Sequence, residues 1–236
     1  MQDRYVGDVG DFAKYSLLNA MSEGFSLGVA WYQYPDEDHN LDGKHVSYLD
    51  APTLWRDKDP LVFDALKELV LQKQRSTRSV ISRKVIEPDF VHSEALDFSS
   101  SRYLEREAWR KSWFKTGLLC LQGAEIVFAD PDNGLCVSSK YKYGNRKNWK
   151  RLPLNEAHEL SRDRTAIIYH HNSRFKGGHI KEIKFWLNQF VSNSFAIRYR
   201  AYSSRTFFVV NNQEIHIQRA RKWVARFGPK AEIIEL

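Results

Sequence analysis

The sequence predicts a single α/β domain with a mostly parallel sheet, helices on both faces and an antiparallel hairpin near the C-terminus. Three observations lead there. Short apolar runs of strand length alternate with longer segments whose apolar residues recur every three to four positions. Two further strand-like runs, 195–202 and 206–210, stand only three residues apart, which is hairpin spacing rather than crossover spacing. No linker, repeat or low-complexity segment divides the 236 residues, and that length suits one core.

The elements follow in order. Asp8 to Glu23 carries Val9, Phe12, Ala13, Leu17, Leu18 and Met21 at near-helical spacing, and Gly24 stops it. Ser26 to Tyr34 reads as the first strand, ended by Pro35 and the polar run 36–43. Pro60 to Lys73 is a second helix with Leu61, Phe63, Leu66, Leu69 and Val70 on or near one face, and Ser79 to Val85 reads as a short strand. Ser101 to Leu121 is a long helix with Trp109 and Trp113 one turn apart, followed by a strand from Ile126 to Ala129. A helix from Leu154 to Ser161, a strand from Thr165 to His170 and a helix from Gly178 to Val191 come next. Phe195 to Tyr202 and Thr206 to Val210 pair across Ser203-Ser204-Arg205, and Ile215 to Phe227 closes the chain as a helix. Alternation of this kind, ending in a hairpin, is that of a Rossmann-like sheet of the methyltransferase type.

Charge narrows the partners. The formal charge is +7, yet residues 1–64 hold 12 acidic and 5 basic side chains, a net of −7, so the remainder carries +14. A basic body with an acidic N-terminal quarter suits a polyanion, a nucleic acid with DNA favoured over RNA, gripped by the body while the acidic part supplies carboxylates. No apolar run approaches the roughly 18–20 residues that cross a membrane. Asp3, Arg4, Asp8 and Asp11 break up any apolar leader, so no membrane partner and a cytoplasmic location are expected. Cys120, in the apolar run 117–121, reads as buried; with Cys136 the only other thiol, neither a disulfide framework nor a zinc site is expected.

The strand Ile126 to Ala129 runs straight into Asp130-Pro131-Asp132-Asn133-Gly134. Pro131 removes a backbone donor and Gly134 permits a positive φ, so the chain turns where open α/β sheets bind ligands. Asp130, Asp132 and Asn133 are therefore candidates for catalysis, or for gripping the edge of a flipped base. The plainer alternative is an Asx turn capped by Asp130. The next strand end offers Tyr169, His170, His171, Asn172, Ser173 and Arg174: either histidine as general acid, Arg174 on a phosphate, Asn172 and Ser173 lining the pocket.

Asp36 and Glu37 are further catalytic candidates. Their loop is no EF-hand, because its glycine comes two positions late and no glutamate follows at the twelfth. A cation held by Asp36, Glu37, His39 or Asp42 is the alternative. Asp8, Asp11 and Lys14 share the first helix beside Gly7 and Gly10, and with Tyr5 and Tyr32 they are assigned to the pocket. Asp11 and Lys14 alternatively form a plain surface pair.

The stretch 140–151 holds six cations, three aromatics and no acid. Lys140, Lys142, Arg146, Lys147, Lys150 and Arg151 are expected to neutralise phosphates, and Tyr141, Tyr143 and Trp149 to stack on unpaired bases. A solvated loop is the alternative. Some of Arg198, Arg200 and Arg205 on the hairpin and of Arg219, Arg221, Lys222 and Arg226 on the last helix widen that footprint, since residues from one helix turn cannot all point the same way.

The opening Arg4-Tyr5-Val6-Gly7-Asp8-Val9-Gly10-Asp11-Phe12-Ala13-Lys14-Tyr15 resembles the start of the bacterial large-subunit ribosomal RNA adenine-N6 methyltransferases. Asp130-Pro131-Asp132-Asn133 sits where adenine and cytosine amino-methyltransferases keep an Asp/Asn-Pro-Pro-aromatic tetrad. The chain also resembles, over most of its length, a group of small bacterial proteins sharing Gly-Asp-x-x-Asp-Phe-x-Lys-Tyr, Trp-Tyr…Pro-Asp-Glu and Asp-Pro-Asp-Asn-Gly boxes. That group brings no function with it.

Departures from the methyltransferase pattern shape the expectation. Val29 to Pro35 lacks the glycine-rich turn that lets a backbone approach the methyl donor, and the stacking aromatic is replaced by Asn133. What remains is a base pocket without its cofactor loop. The leading expectation is a cofactor-independent, DNA-directed base-flipping glycosylase acting on a particular or modified base, in defence against phage DNA. The alternatives are a divergent S-adenosylmethionine-dependent nucleic-acid methyltransferase and a non-catalytic nucleic-acid-binding protein. A metal-dependent nuclease comes last, because Glu182-Ile183-Lys184, which would complete its motif with Asp132, falls on a helix.

Overall fold

The computed structural model describes residues 1–37, 43–97, 101–190 and 193–236. Nine strands are defined among them: β1 (Leu27–Ala30), β2 (Phe90–His92), β3 (Ile126–Ala129), β4 (Leu135–Cys136), β5 (Leu152–Pro153), β6 (Thr165–His171), β7 (Ser194–Ala201), β8 (Ser203–Val210) and β9 (Ala231–Ile234). The helices are α1 (Val9–Ser22), α2 (Pro52–Trp55), α3 (Pro60–Leu71), α4 (Thr77–Ser82), α5 (Arg106–Cys120), α6 (Arg146–Trp149), α7 (Leu154–Leu160), α8 (Gly178–Leu187) and α9 (Glu214–Phe227).

Seven strands form one sheet in the order β2-β1-β3-β6-β8-β7-β9. β2, β1, β3 and β6 run parallel, β8 lies antiparallel between β6 and β7, and β9 pairs antiparallel with β7. The chain is thus a Rossmann-like α/β domain. Its strands alternate across the sheet as a period of two requires. Ile126 and Phe128 of β3 pack with Phe12, Phe63 and Trp223 from α1, α3 and α9. Val127 and Ala129 face the other way, toward Trp113, Ala157 and Ile183 from α5, α7 and α8.

α1 fixes the position of the site. Asp8 caps it by accepting from the Gly10 N–H at 2.8 Å. Phe12 sits among Tyr48, Trp55, Phe63 and Phe227, with centroid separations of 5.5, 6.3, 6.0 and 5.7 Å. Full burial of such a ring contributes about 1.5–3 kcal/mol. With that face anchored, Asp11 and Lys14 are delivered to the carboxyl edge of β3.

A second, two-stranded piece clasps the basic stretch. β4 pairs parallel with β5, through Leu135 to Leu152 and Cys136 to Pro153. The Asn133 N–H donates to the Lys150 carbonyl at 2.8 Å, and the Leu152 N–H to that of Gly134 at 2.9 Å. Residues 137–151 therefore leave and rejoin the molecule at the Asp-Pro-Asp-Asn-Gly turn.

Several sequence expectations are corrected. The strand expected at Ser79 to Val85 is α4, because Ser76 caps a helical turn by accepting from the Ser79 N–H at 3.0 Å. β2 and β9 were not foreseen; both are short edge strands. β1 ends at Ala30 rather than Tyr34, and Tyr32 takes a left-handed φ of 47°. The long helix starts at Arg106 rather than Ser101, and Cys120 is exposed because the face turned to the core carries Arg110, Trp113 and Gly117 instead. α8 ends at Leu187, and the expected end at Val191 lies outside the described residues. The hairpin turn is a single residue, Tyr202, since the ladder continues to Ala201 and Ser203. No helix among the described residues is long and apolar enough to cross a membrane.

Candidate active site

A cavity of about 310 Å³ opens at the carboxyl edge of β3 and β6. Tyr5, Asp8, Asp11 and Lys14 line it from α1 and the segment before it. The turn after β3 contributes Asp130, Asp132 and Asn133; β6 contributes Tyr169 and His171; β8 contributes Ser203 and Arg205. Met1 and His45 also line it. Its size sits at the low end of the roughly 300–1,000 Å³ range of small-ligand pockets, room for a base and its sugar rather than a dinucleotide.

The floor is a buried ion cluster. Lys14 Nζ lies 2.8 Å from Asp11 Oδ1 and 2.7 Å from Asp130 Oδ2. Two carboxylates thus share one ammonium, and the Tyr15 hydroxyl adds a bond to Asp11 Oδ2 at 3.1 Å. Burial raises the Asp11 carboxyl to about 6 against the pull of Lys14, with Asp130 adding to the rise. Burial works to lower the Lys14 pKa, but Asp11 and Asp130 outweigh it and hold the ammonium protonated.

Asp132 behaves oppositely. Gln2 Nε2 donates to its Oδ2 at 2.7 Å, Lys150 Nζ lies 3.5 Å away and the Met1 ammonium 3.8 Å away. Burial opposes ionisation there, yet the Met1 ammonium, Gln2 and Lys150 together hold the carboxyl below its usual range. Across the cavity, Arg205 Nη2 pairs with Asp8 Oδ1 at 3.0 Å. Gly10 is required at that crossing, because a Cβ would collide with the Arg205 guanidinium.

His170 stands behind this wall. The Leu135 N–H donates to its Nδ1 at 2.9 Å, so the ring proton is on Nε2, 3.2 Å from Glu182 Oε1. Burial lowers its pKa despite Glu182, which favours that neutral form. Glu182 itself is held at about 2: burial opposes ionisation, but His170 and Ser173 outweigh it. His170 is therefore a fastener for the loop after Asp132 and not a proton donor to the cavity. Gly134, at φ 71°, leaves the room that His170 fills.

Other expected site residues lie elsewhere. Asn172 Nδ2 and the Ser173 hydroxyl donate to Glu182 at 3.2 and 2.5 Å, which places both in the His170 support. Tyr32 points to the opposite face, its hydroxyl 3.5 Å from Glu156. Asp36 is exposed and accepts from the Arg4 N–H at 3.2 Å. Glu37 pairs with Lys150 and receives Gln2 Nε2 at 3.2 Å, so it borders the cavity through Asp132's partners. His39 and Asp42 lie outside the described residues. Among those described, no group of three or more His, Cys, Asp or Glu side chains is placed to hold a metal ion.

The basic stretch also divides. Trp149 is 1 % exposed and donates from Nε1 to the Tyr143 carbonyl at 2.9 Å, and the buried Tyr141 hydroxyl meets Arg110 Nε at 3.2 Å. Those two rings build the loop and cannot stack on a base as expected. Tyr143 is half-buried, edge-on to Tyr141 with centroids 4.9 Å apart. Lys140, Lys142, Arg151 and Arg174 are exposed; Lys150 is turned inward, and the side chains of Arg146 and Lys147 lie outside the description. Arg205, one of the candidates for widening the footprint, is instead buried against Asp8.

Sequence reasoning missed Gln2, His45, Arg205 as a cavity residue and the buried pair Arg110–Glu156. It also missed Met1 to Asp3, which lie over the ends of β1 and β3, where Rossmann-like sheets seat a cofactor. The Met1 ammonium donates to the carbonyls of Tyr32 and Asp130 at 3.1 and 3.0 Å, the Tyr34 N–H donates to the Met1 carbonyl at 2.8 Å, and Gln33 Nε2 donates to Asp3 at 3.0 Å. No protein-family model matches the chain, and no curated protein is significantly similar to it.

Proposed function

We propose that the protein is a DNA-directed, base-flipping enzyme that hydrolyses an N-glycosidic bond without a bound cofactor. One observation carries the reading: two carboxylates of a single cavity are shifted in opposite directions, Asp132 held below the usual carboxylate range by the Met1 ammonium, Gln2 and Lys150, and Asp11 raised by burial to about 6. Paired groups with pKa values pushed apart are the mark of an acid and a base. In the step proposed, the bond between C1′ and the base nitrogen breaks, and its electron pair leaves with the base, which takes the Asp11 proton. A water oxygen bonds to C1′ while its proton passes to Asp132, whose negative charge also faces the cation building on the sugar. The products are a free base and an abasic site.

The partner follows from charge and from where it lies. Lys140, Lys142 and Arg151 are exposed on the loop clasped to the Asp130–Gly134 turn, which supports assigning them to phosphates while a base enters. Met1 to Asp3 over β1 and β3 favour chemistry without a methyl donor. The sheet order favours a second reading, a divergent nucleic-acid methyltransferase. The target we propose is a particular or modified base of the kind phage DNAs carry, which would make the protein a defence.

The test incubates the protein with unmodified and naturally modified phage DNAs, without cofactor, and assays abasic sites and released bases. Release of a base, abolished by Asp132→Asn, is expected. No release from any DNA, with methyl transfer once S-adenosylmethionine is added, overturns the reading in favour of the methyltransferase. Magnesium-dependent strand cleavage without alkali points to a nuclease, and binding without any chemistry to a non-catalytic protein.

A further inference from the structure

Tyr202 is the whole of the turn between β7 and β8, with Ala201 and Ser203 on either side already paired. It holds a φ of 64°, a left-handed conformation that costs any side chain and suits glycine. Core packing does not explain that cost, because the residue is 60 % exposed. One face of the ring is backed by His45, stacked at 4.8 Å between centroids and 25° between planes, and the hydroxyl lies 3.4 Å from Ser47 Oγ. Both His45 and Ser203, the next residue, line the cavity. An exposed aromatic ring thus stands on a short turn beside the cavity, backed by a residue of its wall.

We propose that Tyr202 is the wedge that enters the base stack as the target base leaves it for the cavity. The role rests on the base-flipping reading above. A duplex that loses a base from its stack exposes two π faces, and an aromatic side chain inserted there replaces the lost stacking. The paired strands fix the reach of the ring, and His45 keeps it from folding back over the cavity. The one-residue turn requires a left-handed backbone at 202 and glycine would supply it, so the tyrosine brings to the tip a ring that the turn itself does not need.

The experiment compares the full-length protein with Tyr202→Gly, which the backbone tolerates, and Tyr202→Phe, which keeps the ring. Duplexes carry 2-aminopurine beside each ordinary base and beside the modified bases of the phage DNAs, so fluorescence reports unstacking whether or not a bond is cut. The parent is expected to raise the fluorescence; Tyr202→Gly should lose the rise and Tyr202→Phe should restore it. Base release by Tyr202→Gly should fall about 10- to 100-fold on duplex but less than about threefold on single strands, where no stack has to be filled. A rise undiminished in Tyr202→Gly, or no rise with the parent, overturns the wedge. A rise without base release keeps the wedge and sinks the hydrolysis reading, so the two fail separately.

Discussion

Two buried ion clusters lie on opposite sides of the sheet, one sealed and one facing a cavity. In the sealed one, Arg110 Nη2 meets Glu156 Oε2 at 2.5 Å, Tyr141 adds its hydroxyl, and the Trp113 ring covers the guanidinium at 4.6 Å. One cation answers one anion. In the other, Lys14 answers both Asp11 and Asp130, and the cluster borders open space. Burial raises Glu156 as well, to about 7 against the pull of Arg110, but neither side chain lines the cavity, so the work of this pair is to hold α5, α7 and the basic loop in register. The mismatched cluster keeps an uncompensated charge, which burial resolves by raising Asp11 to about 6. A cavity that retains a movable proton is equipped for chemistry; a sealed pair is equipped for support.

The largest effect should come from the sealed side. Arg110→Ala leaves Glu156 buried and unpaired, and urea unfolding should show a loss of about 3–5 kcal/mol, while base release per folded molecule stays within about twofold. A variant as stable as the parent would erase the distinction between the clusters. On the cavity side, Asp132→Asn should cut base release about 100- to 1,000-fold, with melting moved far less than by Arg110→Ala. The reverse pattern, a lost fold with a retained rate per folded molecule, would make Asp132 structural.

The proton itself sharpens the contrast. Above about 6 the acidic form of Asp11 is depleted, so kcat/KM should fall about tenfold per pH unit, and Asp11→Asn should flatten that limb. The stability sign is also set. A carboxyl raised in the folded state contributes below its ordinary pKa and loses the contribution as pH rises through about 6. Glu182, held at about 2, contributes in full above its ordinary value and loses the contribution as pH falls toward 2. Melting curves of Asp11→Asn and Glu182→Gln between pH 3 and 7 should therefore diverge from the parent at opposite ends. The smallest effect belongs outside the cavity: Lys140→Ala and Lys142→Ala should each lower the salt slope of DNA binding by about one, and an unchanged slope removes that side chain from the phosphate contacts.

Much of this was legible in the sequence, for identifiable reasons. The apolar periods of α1, α3, α9 and the β3–β6 pair exposed the sheet, and Asp-Pro-Asp-Asn-Gly marked where it turns toward a ligand. The carboxylates of the cavity were legible because each follows a strand, caps a helix or stands in its first turn. α4 was hidden because Val80 and Ile81 favour strands and its cap, Ser76, stands outside the apolar run. The pairing of Arg205 with Asp8 joins residues 197 positions apart, and no local pattern reports it. The two histidines could not be separated by sequence, since only the Leu135 N–H and Glu182 tell a held ring from one on the cavity wall. The basic stretch misled by composition: its aromatics were counted as contacts, whereas Tyr141 and Trp149 are the loop's own interior.

The imidazole of His170 is a natural spectroscopic probe. Its Nε2 proton is enclosed against Glu182 and its Nδ1 accepts from the Leu135 N–H, so the ring proton and that amide proton exchange slowly while the loop is seated. A single downfield resonance and one protected amide then report, without ligand or label, whether the turn bearing Asp132 is in place.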